Sequence, residues 1–482
     1  MTIVLPATTD REQLLDRFRD RIQHNPDLAR RLVSYQANKE IPFYRWFKYR
    51  EGFTAQLVNY LLEKVHPLPG ILLDPFAGSG AALFGAVSLG WSAKGIELLP
   101  VGIHAMYARF AANNIDPVVF VETTRKLFSM DFTSYYDETH QIHHIAITKG
   151  AFPQETEQEL VGYISYCNKH INDDNIRQLA LFAAFCILED ISYTRKDGQY
   201  LRWDARSGRS QGKKAFDKGK ILTFKEAVQG KLEQMRSDLL NMPTTRLSSG
   251  QIKLNFDNFQ SSNEIPDVVQ GSCLEILPTI QKDSIDVILT SPPYCNRYDY
   301  TRTYALELVH LGETHKDVTG LRQEMLSCTV ENKNKVERMR MFYTNLKRDC
   351  DFNRIEQVFR DQYALHEVLA ILDELRDNNQ LNNPHISRMV RNYFYEMCFV
   401  VYEMSRILAP NGHVIMVNDN VRYAGEEVPV DIILSSIAEA FGLVIEKIWT
   451  LGRGKGNSSQ QMGVHGRTET RKCVYIWRKP TK

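Results

Sequence analysis

The chain has 482 residues, of which 43% are hydrophobic and 24% charged, and this is the composition of an ordinary globular protein. Its formal net charge of +1 excludes a chain-wide attraction to polyanions, so any nucleic-acid surface must be a local basic patch. The charged N-terminal region has no signal-peptide core, no apolar run reaches membrane-spanning length, and the eight cysteines include no CxxC pair, so we expect a cytoplasmic protein with no membrane segment, metal site or disulfide framework.

An aromatic segment follows the charged N-terminal region, which we predict to be a helical extension. Residues 41–54 interleave aromatic side chains with charges and precede a predicted helix, 55–65, for which Thr54 is a suitable N-cap. An aromatic cluster before a helix is usually part of a hydrophobic core. Because this cluster lies just upstream of a cofactor-like motif, a ligand-facing role is an equally good interpretation.

The cofactor-like motif is Asp-Pro-Phe-Ala-Gly-Ser-Gly at 74–80, between the apolar run 71–73 and a predicted helix, 81–89. Gly78 and Gly80 allow a ligand to approach the backbone closely, and Glu97 ends the next predicted strand, where a carboxylate can accept the ribose hydroxyls of a nucleoside. The glycines do not form the GxGxxG pattern of a pyrophosphate site, and no P-loop lysine follows. Because Asp74 favours a ligand with an amino group, S-adenosylmethionine fits this motif better than NAD or ATP.

The sheet pattern then pauses between about 115 and 266, where helices are predicted. Within this stretch, residues 195–220 contain nine Lys or Arg against three Asp, the largest local basic excess in the chain. Glycines and aromatic residues accompany the charges, so the sequence predicts a flexible loop that contacts DNA phosphates, with a solvated basic loop as the alternative. The predicted DNA-binding residues are Arg195, Lys196, Arg202, Arg206, Arg209, Lys213 and Lys214.

A second motif, Ser-Pro-Pro-Tyr at 291–294, ends the apolar, β-branched run 285–290, which we predict to be a buried strand. The two prolines stop the strand and direct the chain into a stiff loop at its carboxyl end, where open α/β sheets bind ligands. The hydroxyl, carbonyls and ring of this loop suit a flat heterocycle with an exocyclic amine. Upstream, Ser272 follows another predicted strand and is expected near an adenine ring.

The remainder of the chain completes this pattern. Residues 315–390 have a balanced charge and a helical pattern, and a long buried helix and further strands follow. A Gly/Ser-rich loop near the C-terminus carries Arg453, Lys455, Arg467 and Arg471, which form the rival candidate for a phosphate-binding surface.

Together, the motifs at 74–80 and 290–294 resemble the FxGxG cofactor motif and the [D/N/S]PP[Y/F/W] catalytic motif of the S-adenosylmethionine-dependent DNA methyltransferases that modify exocyclic amines. The resemblance implies an α/β fold: a Rossmann-like class I methyltransferase sheet with helices on both faces, interrupted by two mainly helical insertions. The implied division is an N-terminal extension, three methyltransferase parts and two insertions: 1–40, 41–115, 116–265 (candidate DNA-recognition region), 266–314, 315–390 and 391–482.

The resemblance also assigns roles to residues. It places S-adenosylmethionine against eight of them: Phe53, Thr54, Asp74, Phe76, Gly78, Gly80, Glu97 and Ser272. The catalytic residues it implies are Ser291, Pro292, Pro293 and Tyr294. In this family a serine before the two prolines favours cytosine N4 as the methyl acceptor, whereas aspartate or asparagine favours adenine N6.

The implied partners are double-stranded DNA and a cognate restriction endonuclease, in a restriction–modification or phage-defence role. Cytosine C5 methylation is disfavoured, because it would need a Pro-Cys pair that the chain lacks. Three alternatives remain open at this point: an adenine-N6 DNA methyltransferase, an RNA guanine-N2 methyltransferase, and a catalytically inactive DNA-binding subunit.

Overall fold

A computed structural model describes residues 9–29, 31–50, 52–197, 200–209, 215–241, 244–246, 252–254, 265–452 and 470–481. Its β-strands are β1 (Ile22–His24), β2 (Ile71–Asp74), β3 (Ser92–Glu97), β4 (Thr194–Asp197), β5 (Tyr200–Trp203), β6 (Thr244–Arg246), β7 (Ile252–Leu254), β8 (Asp267–Gln270), β9 (Ile285–Thr290), β10 (Leu408–Asp419), β11 (Val421–Tyr423), β12 (Glu426–Val428), β13 (Val444–Thr450) and β14 (Lys472–Arg478).

The α-helices of the same structure are α1 (Asp10–Phe18), α2 (Ala55–Val65), α3 (Ala81–Ser88), α4 (Pro100–Ala112), α5 (Pro117–Ser129), α6 (Gln154–His170), α7 (Asp174–Cys186), α8 (Leu188–Ile191), α9 (Phe224–Leu240), α10 (Cys273–Ile276), α11 (Tyr300–Thr303), α12 (Ala305–His310), α13 (His315–Glu324), α14 (Val336–Asn345), α15 (Asp349–Arg360), α16 (Tyr363–Asp377), α17 (Ile386–Ile407) and α18 (Val430–Ala440).

Eight strands form one sheet, in the order β1-β13-β14-β10-β9-β2-β3-β8. Neighbouring strands run parallel except where β14 pairs antiparallel with both β10 and β13. The sheet therefore has the mainly parallel, Rossmann-like character that the sequence predicted. It also brings together the carboxyl ends of β2, β3, β8 and β9, which the chain order separates.

Helices cover both faces of this sheet. Successive side chains of a strand point to opposite faces, so each central strand contributes to two hydrophobic cores. Leu72 and Val287 pack in one core with α2 and α3, whereas Leu73 and Ile288 pack in another with α17 and α18. The central strands are thus buried on both faces, which explains why they are nearly continuous apolar runs in the sequence.

The two insertions pack in different hydrophobic cores. Helices α5–α9 share a core with α4, α12 and the aromatic segment, whereas α14–α16 share a core with α17. The aromatic segment is largely core, since Phe43, Trp46 and Phe47 are buried there.

The N-terminal region departs from the predicted helical extension. After α1, the chain forms strand β1, and Ile22 pairs in register with Ile448 of β13. This short strand covers the edge of β13 that would otherwise leave unpaired backbone groups. Residues 22–24 of the N-terminal region are therefore part of the main sheet.

No helix among the described residues is long and apolar enough to cross a membrane. The same residues contain no group of three His, Cys, Asp or Glu side chains that could hold a metal ion.

Candidate cofactor and catalytic site

A pocket of about 790 Å³ opens at the carboxyl edge of the sheet, where both sequence motifs end. Its wall combines the cofactor motif, the end of β3, the catalytic loop and the end of α13. The lining residues used below are Tyr49, Phe53, Asp74, Phe76, Gly78, Ser79, Glu97, Ser272, Ser291, Pro293, Tyr300, Glu324, Met325 and Leu326.

Asp74 connects the two motifs directly. Its carboxylate accepts a hydrogen bond of 2.6 Å from the Thr290 hydroxyl, at the end of β9, and one of 3.0 Å from the Phe76 backbone N–H. The side chain is 2% exposed, and this burial raises the pKa of Asp74 to about 7 despite both hydrogen bonds. The pocket therefore contains a carboxyl group that a bound cation would help to ionise.

Glu97 is the second buried carboxyl of the pocket. It accepts hydrogen bonds from the backbone N–H groups of Gly78 (2.6 Å) and Leu99 (2.7 Å). Burial is the main cause that raises the pKa of Glu97 to about 7, and the nearby Asp74 charge adds to it. Because each carboxylate oxygen accepts more than one hydrogen bond, Glu97 keeps capacity for ligand hydroxyls while it holds the glycine turn in place.

The glycine turn depends on backbone conformations that glycine adopts readily. Gly78 has φ +55°, and a Cβ there would lie 2.9 Å from the Tyr49 ring. Gly80 has φ +83°, but its missing side chain would contact Phe84 and Met106. Gly78 thus forms part of the pocket wall, whereas Gly80 shapes the turn from behind and is not in the wall.

The other predicted cofactor contacts also divide into residues that line the pocket and one that lies behind its wall. Phe53, Phe76 and Ser272 line the pocket. Thr54 does not: its hydroxyl donates to the Leu32 carbonyl and accepts from the Leu57 N–H, so it caps α2 and is fully buried. Thr54 therefore fixes the segment that presents Phe53 and lies outside the pocket wall, which argues against its predicted contact with the cofactor.

The Ser-Pro-Pro-Tyr loop reaches the same pocket through Ser291 and Pro293. The Ser291 hydroxyl donates a 3.3 Å hydrogen bond to the Tyr294 hydroxyl, which leaves the lone pairs of the serine oxygen available as acceptors. Burial raises the pKa of Tyr294, so its hydroxyl stays protonated. Pro292 of this loop is buried and lies outside the pocket wall, and Tyr294 as a whole residue is half-buried.

Several wall residues were not found by sequence reasoning. Tyr300 follows the catalytic loop, and Glu324, Met325 and Leu326 come from the second insertion. The Ser272 hydroxyl donates to the Glu324 carbonyl at 3.3 Å, which closes this side of the pocket. The tyrosines around the catalytic motif were a local signal for Tyr300, but no local signal marked 324–326.

Comparisons with known proteins found relatives that match the chain over most of its length. The chain is 42% identical over 475 residues to the type II methyltransferase M.AvaI of Nostoc sp. and of Anabaena variabilis, covering 97% of this chain and 92% of each relative. It is 39% identical over 466 residues to the type II methyltransferase M.BsoBI of Geobacillus stearothermophilus, covering 95% of this chain and 90% of that relative. The chain belongs to the type II DNA methyltransferases. No family model and no solved structure matches it.

In this DNA methyltransferase the predicted basic loop begins as a hairpin of β4 and β5. Lys196 is 5% exposed, and its ammonium group pairs with the buried carboxylate of Glu307 in α12. A phosphate could reach Lys196 only by breaking this buried ion pair, which argues against the predicted DNA contact of Lys196. The pair instead joins the first insertion to the helix that follows the catalytic loop.

The other cations of this stretch differ in their availability. Arg206 forms two hydrogen bonds to the buried Asp204, at 2.7 and 2.8 Å. Arg209 lies 4.0 Å over the Trp203 ring and donates to main-chain carbonyls. Arg202 lies over Phe216 and pairs with Asp197, whereas Arg195 is exposed.

Two predicted basic residues of this stretch, Lys213 and Lys214, lie outside the described residues, as do Arg453, Lys455 and Arg467 of the rival loop. Arg471 of the rival loop is described, and it pairs with the fully buried Asp431.

Proposed function

We propose that this enzyme transfers a methyl group from S-adenosylmethionine to the N4 amine of a cytosine that is rotated out of double-stranded DNA. The observation that carries the proposal is the single pocket that the cofactor motif and the catalytic loop share, joined by the Thr290–Asp74 hydrogen bond. The serine at 291 supports cytosine as the target. A cognate restriction endonuclease would recognise the same DNA site.

The residues of the pocket suit S-adenosylmethionine. Asp74 and Glu97 are two buried carboxyl groups, and neither forms an ion pair within the described part of the chain. An amino group and ribose hydroxyls would supply the missing partners, and the rings of Phe53 and Phe76 offer apolar surface beside them. When bound, S-adenosylmethionine supplies an electrophilic methyl group on a sulfonium centre.

The catalytic loop would activate the amine by accepting its hydrogens. An exocyclic amine is a weak nucleophile, because its lone pair is delocalised into the ring. The Ser291 oxygen, whose proton is directed to Tyr294, and the Pro292 carbonyl would accept the two N–H groups and favour the lone pair on nitrogen. Tyr294 would stack on the flipped base, so the main contribution of the loop is positioning.

The test is incubation with isotopically labelled S-adenosylmethionine and duplex DNA, followed by mass spectrometry of the digested nucleosides. We expect labelled N4-methylcytosine. Labelled N6-methyladenine without N4-methylcytosine would overturn the choice of base, and the absence of label from every nucleoside would overturn methyl transfer from S-adenosylmethionine to DNA. A Ser291→Ala variant that keeps full activity would overturn the role of the hydroxyl.

We also propose that the first insertion contacts the DNA backbone, with Arg195 as one exposed cation of its basic stretch. Arg195 is supported by its place on β4, opposite Arg202 in the hairpin. Lys213 and Lys214 stay candidates from the sequence alone. Arg202, Arg206 and Arg209 have intramolecular partners, so any DNA contact of theirs would be in addition to a structural role.

A further inference from the structure

A second pocket, of about 1020 Å³, lies beside the cofactor pocket and shares Tyr49 and Ser79 with it. We call it the Arg109 pocket. It is formed where the aromatic segment, α4 and the first insertion meet. Five of its lining residues are cationic and none is acidic: Lys39, Arg45, Lys48, Arg109 and Lys231.

Arg109 is the unusual member of this set. It is only 5% exposed, and its guanidinium lies between two aromatic rings, 3.9 Å from the centroid of Tyr44 and 3.7 Å from that of Phe84. Its buried Nε and Nη1 atoms have no hydrogen-bond partner, and no carboxylate pairs with it, within the residues that the structure describes. Cation–π contacts with these two rings offset only part of the cost of burying a charge that has no anionic partner.

The neighbouring cations add positive charge that carboxylates neutralise only in part. Arg45 is paired with Asp238, and Lys48 lies 4.0 Å from Asp190. By contrast, Lys231 donates to the Trp46 carbonyl and the Gln234 amide, and Lys39 donates to the Gln36 amide. Across the described residues, three cations of the pocket thus lack a carboxylate partner.

We propose that the Arg109 pocket binds a phosphoryl group. A planar guanidinium with two unused donors suits phosphate oxygens, and the lysines around it add positive charge. Lys39 and Lys48 are exposed and form the entrance, so the ligand would pass them before it reaches Arg109. The phosphoryl group would come either from a free phosphate compound or from the backbone of bound DNA.

The test uses the full-length protein, and it measures binding of pyrophosphate by calorimetry and of duplex DNA by fluorescence anisotropy at constant ionic strength. Arg109→Met keeps an apolar stem between the two rings but removes the donors. Lys39→Gln with Lys48→Gln removes two exposed charges without disturbing the core. The matched control is Lys64→Gln with Lys126→Gln, two exposed lysines that line neither pocket.

We expect Arg109→Met to weaken phosphoryl binding by about tenfold or more, the usual effect of losing a hydrogen bond to a charged group. The Lys39/Lys48 double variant should weaken it by about threefold or more, and the control should leave it unchanged. Saturable pyrophosphate binding that follows this pattern identifies a free phosphate compound. Loss of DNA affinity in this pattern, without pyrophosphate binding, identifies the DNA backbone.

A purely structural role for Arg109 predicts a different result. In that case Arg109→Met lowers thermal stability, while neither variant changes the binding of pyrophosphate or DNA relative to the control. That result overturns the proposal. If Arg109→Met does not fold, the Lys39/Lys48 variant decides, since unchanged binding of both ligands in that variant contradicts a site entered past these lysines.

Discussion

Asp74 and Glu97 place two carboxyl groups with a pKa of about 7 next to each other in a pocket that suits a cation. In the free protein each is ionised only when the pH rises above this value. In the unfolded chain they ionise near pH 4. The folded state therefore binds more protons than the unfolded state between about pH 4 and pH 7, and stability contributed by this pair falls as pH rises through that window.

Burial favours the protonated form of Asp74 and Glu97, whereas a cationic ligand favours their ionised form. We expect S-adenosylmethionine affinity to increase from pH 6 to pH 8 and binding at pH 6.5 to release protons. Calorimetry in two buffers of different ionisation enthalpy measures that release. Asp74→Asn should weaken binding and reduce the proton release, yet unfold at a higher denaturant concentration than the wild type at pH 8. Proton release that is absent from the wild type would contradict the carboxyl assignment.

A second prediction for a single residue concerns Gly78. An alanine there would need a left-handed backbone and would place its Cβ 2.9 Å from the Tyr49 ring, in the wall of the cofactor pocket. We expect Gly78→Ala to abolish S-adenosylmethionine binding in calorimetry.

Gly90 provides the matched control for this substitution. It has φ +81°, and no atom lies within 4 Å of the position that an alanine Cβ would take there. Gly90→Ala therefore incurs the left-handed backbone cost, about 1–2 kcal/mol, without entering a pocket. This variant should lose stability but keep cofactor affinity. Equal affinity in the wild type and Gly78→Ala would show that the turn does not approach the ligand.

At the scale of elements, a buried ion pair holds the second insertion against the pocket. Glu396 of α17 is fully buried and accepts from the ammonium of Lys335 at 2.8 Å and from the Ser327 backbone at 2.8 Å. Lys335 also donates to the Met325 carbonyl at 2.7 Å. Because Met325 lines the cofactor pocket, this network positions a wall that comes from outside the sheet.

We expect Glu396→Leu to destabilise the protein by about 3–5 kcal/mol, because it leaves the Lys335 charge buried and unpaired. It should also weaken S-adenosylmethionine binding, since the segment that carries Met325 loses its anchor. Denaturant unfolding and calorimetry measure the two effects. Asp373→Asn removes the half-exposed pair with Arg376 on α16 and should change stability by less than about 1 kcal/mol. Equal stability losses in the two variants would show that the buried network is not an anchor.

At the scale of the whole molecule, a net charge of +1 means that DNA must be held by a few local cations. Each phosphate contact contributes about −0.9 to the slope of log K against log salt. We expect Arg195→Glu to lower DNA affinity and to make this slope less steep by about 0.9, with S-adenosylmethionine affinity unchanged.

Two control variants separate this effect from changes in the fold. Lys64→Glu reverses another exposed charge and should leave the slope in place. Lys196→Met should reduce stability, because it leaves the buried Glu307 carboxylate without its ion-pair partner. In the protein that stays folded, it should not make the slope of log K against log salt less steep. An unchanged slope in Arg195→Glu would exclude that residue as a phosphate contact.

Much of the sheet and most of the pocket follow from short stretches of sequence. The apolar run 285–290 and the two prolines after it predict a buried strand with a ligand-binding loop, and the glycine turn at 78–80 follows a second such strand. These features are local, because strand periodicity, proline geometry and positive φ depend on a few neighbouring residues. For the same reason, the fold class and the family resemblance could be read without a structure.

Other features were decided only by the tertiary structure. Lys196 belongs to the basic stretch in sequence, yet its partner Glu307 is 111 residues away, and that pairing buries it. The pocket wall at 324–326 and the placement of Arg109 between two aromatic rings likewise depend on which insertion packs against which helix. The sequence does not show whether a charged residue is buried or which distant residues pair with it. Burial and pairing determine whether that residue binds a ligand or supports the fold.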